Sequence, residues 1–172
     1  MASSKRKMIE EFQAEAFRLE TLDNYGVSRL EGHLRAFLNG EPRPEEFLNS
    51  PWVSTVRRAV RSGKRMYRVH ILSRPLTDYL RYELGWGDRR NMAAGEEFFI
   101  LDTTYQPNPL EGVGDFWMYD ESTVEVMKYE DGGQYIGSET LPPERVPEFV
   151  EYRDIALSRA VPFGEWWERY RE

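Results

Sequence analysis

The stretch GKRMYRVHILSRPLTDYLRYELGW, residues 63–86, decides the fold of this chain. Side chains alternate between two faces over residues 66–72, which predicts a strand. A helix is predicted to follow, because Pro75 suits a first helical turn and leucines recur at four-residue spacing. These are Leu76, Leu80 and Leu84. Gly85 and Gly87 are expected to end this helix.

More strand signals lie towards the carboxyl terminus. The apolar run EFFIL, residues 97–101, predicts a strand buried on both faces and completes a β-α-β unit. The Pro- and Gly-rich loop 103–114 follows; its length suits a binding loop or a mobile lid. Three short β segments separated by turn residues then predict an antiparallel meander. They are DFWMYD, STVEVMKY and QYIGSETL, at 115–120, 122–129 and 134–141.

Helices are expected on both sides of this β-rich part. Apolar spacing predicts them at residues 7–19, 27–38, 51–62, 147–160 and 163–170. The first has Met8, Phe12, Ala16 and Leu19 on one face, and the second has Val27, Leu30, Leu34, Phe37 and Leu38. We therefore predict a single domain over 1–172, with a helical N-terminal segment (1–62) and a mixed α/β core (63–172). Its class is α/β or α+β with a mixed sheet.

Composition indicates a soluble cytoplasmic protein. The chain has 172 residues, 40% of them apolar, and no apolar run of the ~18 residues that a membrane span needs. The first residues, MASSKRKMIEEF, include no apolar segment typical of a secretory signal. The chain contains no cysteine, which excludes disulfides and thiolate metal sites and fits a reducing compartment.

Charge is unevenly distributed along the chain. The net charge is −7, yet residues 50–95 contain ten Lys or Arg against three Asp or Glu, or +7, which leaves −14 for the remainder. Arg57, Arg58 and Arg61 share one face of the helix predicted at 51–62. A solvated helix face is the more frequent origin of such a pattern, and a binding surface is the alternative.

No catalytic motif is found. His33 and His70 are the two histidines, and neither begins a His-Glu-x-x-His zinc motif. Phosphate-binding loops, dinucleotide fingerprints and nucleophile elbows are also absent from the sequence, so we predict no cofactor and no metal. Asp102 and Asp115 end or begin predicted strands, where they would face a ligand crevice or, more often, cap turns.

Two groups of aromatic residues are candidates for recognition. Tyr79, Tyr82 and Trp86 form a second stripe on the helix after Pro75. Phe163, Trp166, Trp167 and Tyr170 form a face that we expect to dock on this chain or on another. We predict the first group to be binding residues and the second to be interface residues, although aromatic stripes are more often core. Arg68, Arg74 and Arg81 are candidates for holding phosphate.

The segments FRLETLDNY, PLTDYLRYELGW, DFWMYD and VPFGEWW resemble an uncharacterised actinobacterial family, a domain of unknown function. Members of that family are often encoded beside helix-turn-helix regulators and small partner proteins, so the resemblance implies a regulatory setting. It brings no catalytic residue.

A more distant similarity, at RSGKRMYRVHILS, is to half of a phospholipase-D-like domain. That family's chemistry depends on a His-x-Lys motif. Neither His33 nor His70 has a lysine two residues on, so the similarity implies a degenerate, inactive copy.

Three functions follow from these features. The leading prediction is a non-catalytic regulatory or protein-interaction module that acts on a protein partner, such as a helix-turn-helix regulator, or forms a homo-oligomer. The second is an enzyme acting on phosphodiesters or nucleotides, and the third is nucleic-acid binding through the basic sector 57–90.

Overall fold

Three parallel strands lie at the centre of a seven-stranded mixed sheet in the computed structural model, which describes residues 4–26 and 31–170. An antiparallel meander extends one side and a two-residue strand the other, in the order β6-β5-β4-β1-β2-β3-β7. The strands are β1 (Glu15–Glu20), β2 (Arg65–Leu72), β3 (Glu97–Asp102), β4 (Phe116–Tyr119), β5 (Thr123–Tyr129), β6 (Tyr135–Thr140) and β7 (Val161–Pro162). The predicted mixed sheet, parallel β-α-β unit and meander are confirmed.

Helices pack on both faces of this sheet. They are α1 (Ser4–Glu11), α2 (Glu31–Leu38), α3 (Glu45–Leu48), α4 (Pro51–Arg61), α5 (Asp78–Tyr82), α6 (Arg89–Ala94), α7 (Val146–Arg159) and α8 (Phe163–Tyr170). The helices predicted at 51–62, 147–160 and 163–170 are confirmed as α4, α7 and α8. Of the helix predicted at 27–38, α2 confirms the second part, while Val27 and Leu30 lie outside the described residues.

The helix predicted over 7–19 is wrong in its second half. Helix α1 ends at Glu11, and β1 forms the centre of the sheet between β2 and β4. Both faces of β1 are covered, so Ala16 and Phe17 are buried on opposite sides. Apolar residues at this spacing fit a helix as well as a doubly buried strand, and the pairing with two neighbours decides for the strand. The N-terminal segment 1–62 is therefore not wholly helical.

The glycines at 85 and 87 do not end the helix after β2. Helix α5 begins after Thr77, whose Oγ1 accepts from Leu80 N at 3.1 Å. A π-helical turn, Glu83–Asp88, then carries the chain through both glycines into α6. A Cβ at Gly87 would lie 2.9 Å from Glu83 Oε1, so glycine makes room for that carboxylate.

The core has one apolar face and one mixed face. Helix α7 covers the first face, where Phe149 and Ala156 pack against sheet residues that include Phe17, Val69 and Leu101. The second face has two apolar clusters, one under α1 and α4 and one under α5 and α8. Buried charged side chains occupy the sheet between them. No helix among the described residues is long and apolar enough to cross a membrane.

Candidate functional site

A cavity of about 310 Å³ lies beyond the carboxyl end of β3, against α8. Asp102 is the last residue of β3 and pairs with Leu72, the last residue of β2. Ligands of open α/β sheets bind in this position, outside the carboxyl ends of parallel strands. The lining residues come from the segment after β2, from β3 and the loop after it, and from α7, β7 and α8. They are Arg74, Ile100, Asp102, Tyr105, Gln106, Arg159, Val161, Glu165, Trp166, Arg169 and Tyr170.

Asp102 organises the wall of this cavity. One carboxylate oxygen, Oδ2, accepts from Arg74 Nε at 2.8 Å and from Trp166 Nε1 at 2.9 Å. The other oxygen accepts from the backbone N of Thr104 at 2.9 Å and from the Thr104 hydroxyl. Partial burial acts to raise the pKa of Asp102, but the hydrogen bonds from Thr104, Trp166 and Arg74 outweigh it and lower the pKa. Asp102 is thus a fixed anion that orients its neighbours.

Arg74 presents an oriented guanidinium to the cavity. Its Cζ lies 4.1 Å from the ring centroid of Tyr170 and 5.7 Å from that of Tyr105. Its Nε is bonded to Asp102, whereas its two terminal nitrogens donate to no described residue. A guanidinium held by a carboxylate and two aromatic rings is preorganised to donate to a ligand anion.

Two more arginines reach the same cavity from helix ends. Arg159 is the last residue of α7, and Arg169 lies in the last turn of α8. Both are exposed, and neither forms an ion pair with a residue of the described ranges 4–26 and 31–170. With Arg74 they give three positive charges, against the carboxylates of Asp102 and Glu165. The cavity therefore has a surplus of positive charge in a chain that is negative overall.

A second group of charged side chains is buried on the mixed face of the sheet. Arg68 donates from Nη1 to Glu20 Oε1 at 2.7 Å and from Nε to Glu96 Oε1 at 2.8 Å. The other oxygen of Glu96 accepts from Trp52 Nε1 at 3.1 Å. Burial acts to raise the pKa of Glu20, but Arg68 lowers it to about 2. A buried ion triad of this kind adds little net stability, yet loss of one member is costly.

The π-helical turn contributes two carboxyl groups beside this triad. Asp88 is 1% exposed, and both of its oxygens lack a hydrogen-bond partner among the described residues. Burial, with nearby Glu83 and Glu20, raises the pKa of Asp88 well above its ordinary value. Burial and Glu20 likewise raise the pKa of Glu83. Folding thus favours the protonated form of both groups.

Asp115 is the other carboxylate expected at a strand end, and it accepts hydrogen bonds from the segment that follows β1. It is 2% exposed and accepts from Arg18 Nη2 at 3.0 Å and from Tyr25 Oη at 2.6 Å. Thr21 donates both its backbone N and its hydroxyl to the second oxygen. Asp115 therefore joins buried groups, while Asp102 is the carboxylate that lines a cavity.

The aromatic stripe after Pro75 packs within the chain. Tyr82 is 1% exposed, and Trp86 and Tyr79 are partly buried. Phe37 from α2 and Phe47 from α3 both make edge or tilted contacts with Tyr82 and Trp86. The stripe joins α2 and α3 to α5 and the π-helical turn, and it is not brought to the cavity.

The C-terminal aromatic face packs against other parts of the same chain. Phe163 and Trp166 are buried in the cluster under α5 and α8, and Trp167 stacks on Phe163 with ring centroids 5.5 Å apart. Trp166 and Tyr170 additionally form part of the cavity wall. Trp166 and Tyr170, which were predicted as interface residues, thus line the same cavity as Arg74 and Asp102, which were predicted as binding residues.

The three arginines expected to hold phosphate do not converge. Arg68 is enclosed by Glu20 and Glu96, and Arg81 pairs with Asp78 at 3.1 Å on the surface. Arg74 alone of the three lines the cavity. Elsewhere in the basic sector, Arg57, Arg58 and Arg61 are exposed on α4 and line a shallow depression with Ser54 and Ser62.

Neither histidine lies in the cavity. His70 is 1% exposed, and its Nε2 lies 2.9 Å from the carbonyl oxygen of Leu22. The ring of His33 meets that of Phe47 edge-on, with centroids 5.3 Å apart. No cluster of three or more His, Asp or Glu residues suited to a metal ion occurs within the described part of the chain.

The sequence did not reveal the cavity residues supplied by the last two helices. Arg159 and Arg169 look like ordinary solvent-facing arginines in helix last turns, where positive charge is common. Tyr105 was included only as part of the loop 103–114. The one usable signal was the tendency of ligands to bind beyond the carboxyl ends of parallel strands, which pointed to Asp102.

The fold and this cavity define a mixed α/β domain with a positively charged recess at the carboxyl end of its parallel strands. The chain belongs to the family described as a domain of unknown function, DUF6879, whose model matches residues 3–168. A search of the curated proteins finds no match to the chain.

Proposed function

We propose that this chain is a non-catalytic recognition module that binds an anionic group in the cavity beside β3. The observation that carries the proposal is the convergence of Arg74, Arg159 and Arg169 on one recess. Arg74 is far in sequence from Arg159 and Arg169, and Asp102 orients it before any ligand arrives. A guanidinium oriented by a carboxylate, beside two more that pair with no acidic residue of the described ranges, provides the charged donors that a carboxylate or phosphate ligand requires.

The lining favours binding over turnover. The described residues around the cavity include no histidine, serine, lysine or threonine, and the Asp102 carboxylate is fully engaged. The remaining candidates for a base or nucleophile are the exposed Glu165 and the tyrosines Tyr105 and Tyr170. A phosphodiester- or nucleotide-acting enzyme, including one of phospholipase-D-like fold, is the less favoured proposal, because Arg68 and Arg81 lie elsewhere.

The role of such binding would be regulatory, in the cytoplasm. The family setting implied by the sequence resemblance points to a DNA-binding regulator as the protein partner, and a homo-oligomer is the other arrangement. Large aromatic side chains are mostly engaged within the chain, so we expect ligand binding, and not a broad apolar face, to control the interaction. Co-purification with a helix-turn-helix regulator, with and without added anion, tests this link.

Calorimetric titration with inorganic phosphate tests anion binding directly. We expect the double variant Arg159→Ala/Arg169→Ala to bind phosphate at least about tenfold more weakly, since two charge-assisted contacts are lost. Arg35→Ala/Arg43→Ala is the matched control, because it removes the same charge from exposed sites that line neither the cavity nor the α4 depression. Equal affinity in both double variants, or no phosphate binding by the native chain, would refute the proposal.

A second candidate function is supported by the α4 surface. Arg57, Arg58 and Arg61 place three positive charges around one depression that no described acidic residue lines. Nucleic-acid phosphates would suit this face, although most other arginines of the basic sector are paired with carboxylates. Binding of this kind must weaken steeply with salt, and triple substitution to alanine must abolish it.

A further inference from the structure

The loop after β3 holds one large aromatic side chain in solvent beside the cavity. Tyr105 is 90% exposed, the highest exposure among the large apolar residues that the structure describes. Its neighbours on both sides are anchored to the same residue. Thr104 donates to the Asp102 carboxylate, and Gln106 Nε2 donates to the Asp102 carbonyl oxygen at 2.7 Å. Hydrogen bonds on both sides of Tyr105 therefore fix the backbone that carries this exposed ring.

The Tyr105 ring lies next to the guanidinium of Arg74, the group proposed to bind the anion. Arg74 Cζ lies 5.7 Å from the Tyr105 centroid and approaches one face of the ring, so most of the ring surface stays open to solvent. Folding gains nothing from an aromatic side chain left in water. A planar ligand group could stack on it while an attached anion reaches the arginines, because aromatic rings bind base faces in this way.

We propose that the ligand of this cavity is a nucleoside monophosphate, with its phosphate at Arg74, Arg159 and Arg169 and its base stacked on Tyr105. The inference rests on the proposed anion-binding function and adds the ligand class. A volume of about 310 Å³ is at the small end of the roughly 300–1,000 Å³ typical of ligand pockets, which suits one nucleotide and not a polymer. The carboxylate of Glu165 at the cavity is a ready acceptor for an amino group of the base or a sugar hydroxyl.

Three ligands separate the contribution of the phosphate from that of the base. They are adenosine 5′-monophosphate, ribose 5-phosphate, which lacks the base, and adenosine, which lacks the phosphate. We expect the monophosphate to bind most tightly in calorimetric titrations. Tyr105→Ala should weaken its binding about 5- to 150-fold, as expected for loss of one stacking contact. It should weaken ribose 5-phosphate much less, because Asp102 and Tyr170 still hold Arg74. Tyr105→Phe keeps the ring and should keep the affinity. At 90% exposure, neither substitution should change the thermal midpoint of unfolding.

Each other result has a definite meaning. If adenosine 5′-monophosphate binds no more tightly than ribose 5-phosphate, or if Tyr105→Ala weakens both equally, the inference is wrong while anion binding stands. A 5′-phosphorylated single-stranded oligonucleotide that binds more tightly than the monophosphate would overturn the assignment to a free nucleotide. If neither phosphate compound binds, the proposed function itself fails.

Discussion

Asp102 Oδ2 lies 2.8 Å from Arg74 Nε, so the last residue of β3 and the segment after β2 are joined directly at the mouth of the cavity. The same oxygen holds Trp166 of α8 at 2.9 Å. One carboxylate thus links two parallel strands to a helix more than sixty residues away. The anion-binding geometry and the attachment of α8 consequently depend on one side chain.

Substitution Asp102→Ala should lower the free energy of unfolding by about 2–3 kcal/mol, because the donors of Arg74, Thr104 and Trp166 lose a charged acceptor. Urea unfolding measures the change. Glu165→Ala is the control, since this exposed carboxylate lines the same cavity and its loss should cost under about 0.5 kcal/mol. Similar losses in the two variants would show that Asp102 has no organising role.

Arg68 and Arg65 both lie on β2, and we expect their substitution to lower the free energy of unfolding by very different amounts. Arg68→Leu should cost about 3–5 kcal/mol, because Glu20 and Glu96 would remain buried without a cation. Arg65→Leu removes a surface pair with Glu97, whose partners are each almost half exposed, and should cost about 0–1 kcal/mol. Denaturant unfolding of both variants decides, and comparable costs would contradict the interior role of Arg68.

Asp88 gives a pH dependence of known sign. Its pKa is raised in the folded chain, so the unfolded chain loses this proton first as pH increases. Its stabilising contribution is full below the ordinary pKa of about 4 and is lost as pH rises towards the folded-state pKa. Asp88→Asn, which cannot ionise, should therefore gain stability relative to the native chain between pH 5 and pH 8.

The measurement is the free energy of unfolding at several pH values. Asp78→Asn is the matched control, because the Asp78 side chain is 64% exposed and pairs with Arg81 on the surface. Parallel pH profiles for the native chain and Asp88→Asn would show that Asp88 ionises in the fold as it does in water.

A pair of adjacent glycines tests how the turn before β6 packs on the chain after β1. A Cβ at Gly133, where φ is +84°, would lie 2.0 Å from the backbone oxygen of Asn24. Gly132 has no atom within 4 Å of the equivalent position. Gly133→Ala should lower the thermal midpoint by several degrees, because left-handed backbone alone costs roughly 1–2 kcal/mol. Gly132→Ala should leave it nearly unchanged; the reverse order would contradict this packing.

The sequence predicted best where one periodicity was unambiguous. Alternation defined β2, and turn residues separated β4, β5 and β6 correctly. It failed at β1, because EAFRLE fits a helical spacing and becomes a strand only through pairing with β2 and β4. The helix after β2 was ended too early, since glycine lowers helix propensity but a π-helical turn accommodates it here.

The candidate site was predicted in part for a similar reason. Asp102 ends β3 and Arg74 lies two residues after the end of β2, and this local feature is visible in the sequence. Arg159, Arg169 and Tyr105 become cavity residues only when α7, α8 and the loop after β3 come together. The burial of Arg68 and Asp88 was equally hidden, because charged residues are presumed to face water until the neighbours that enclose them are known.

The indole N–H of Trp166 gives the most direct test of anion binding, because it donates to Asp102 in the cavity wall. In a phosphate titration followed by NMR of ¹⁵N-labelled tryptophan, the Trp166 resonance should shift and saturate. That of Trp52, bonded to Glu96 inside the sheet face, should not move. In Arg159→Ala/Arg169→Ala the same shift should need at least about tenfold more phosphate. A Trp166 resonance that ignores phosphate, or that moves equally in the double variant, would contradict anion recognition at this cavity.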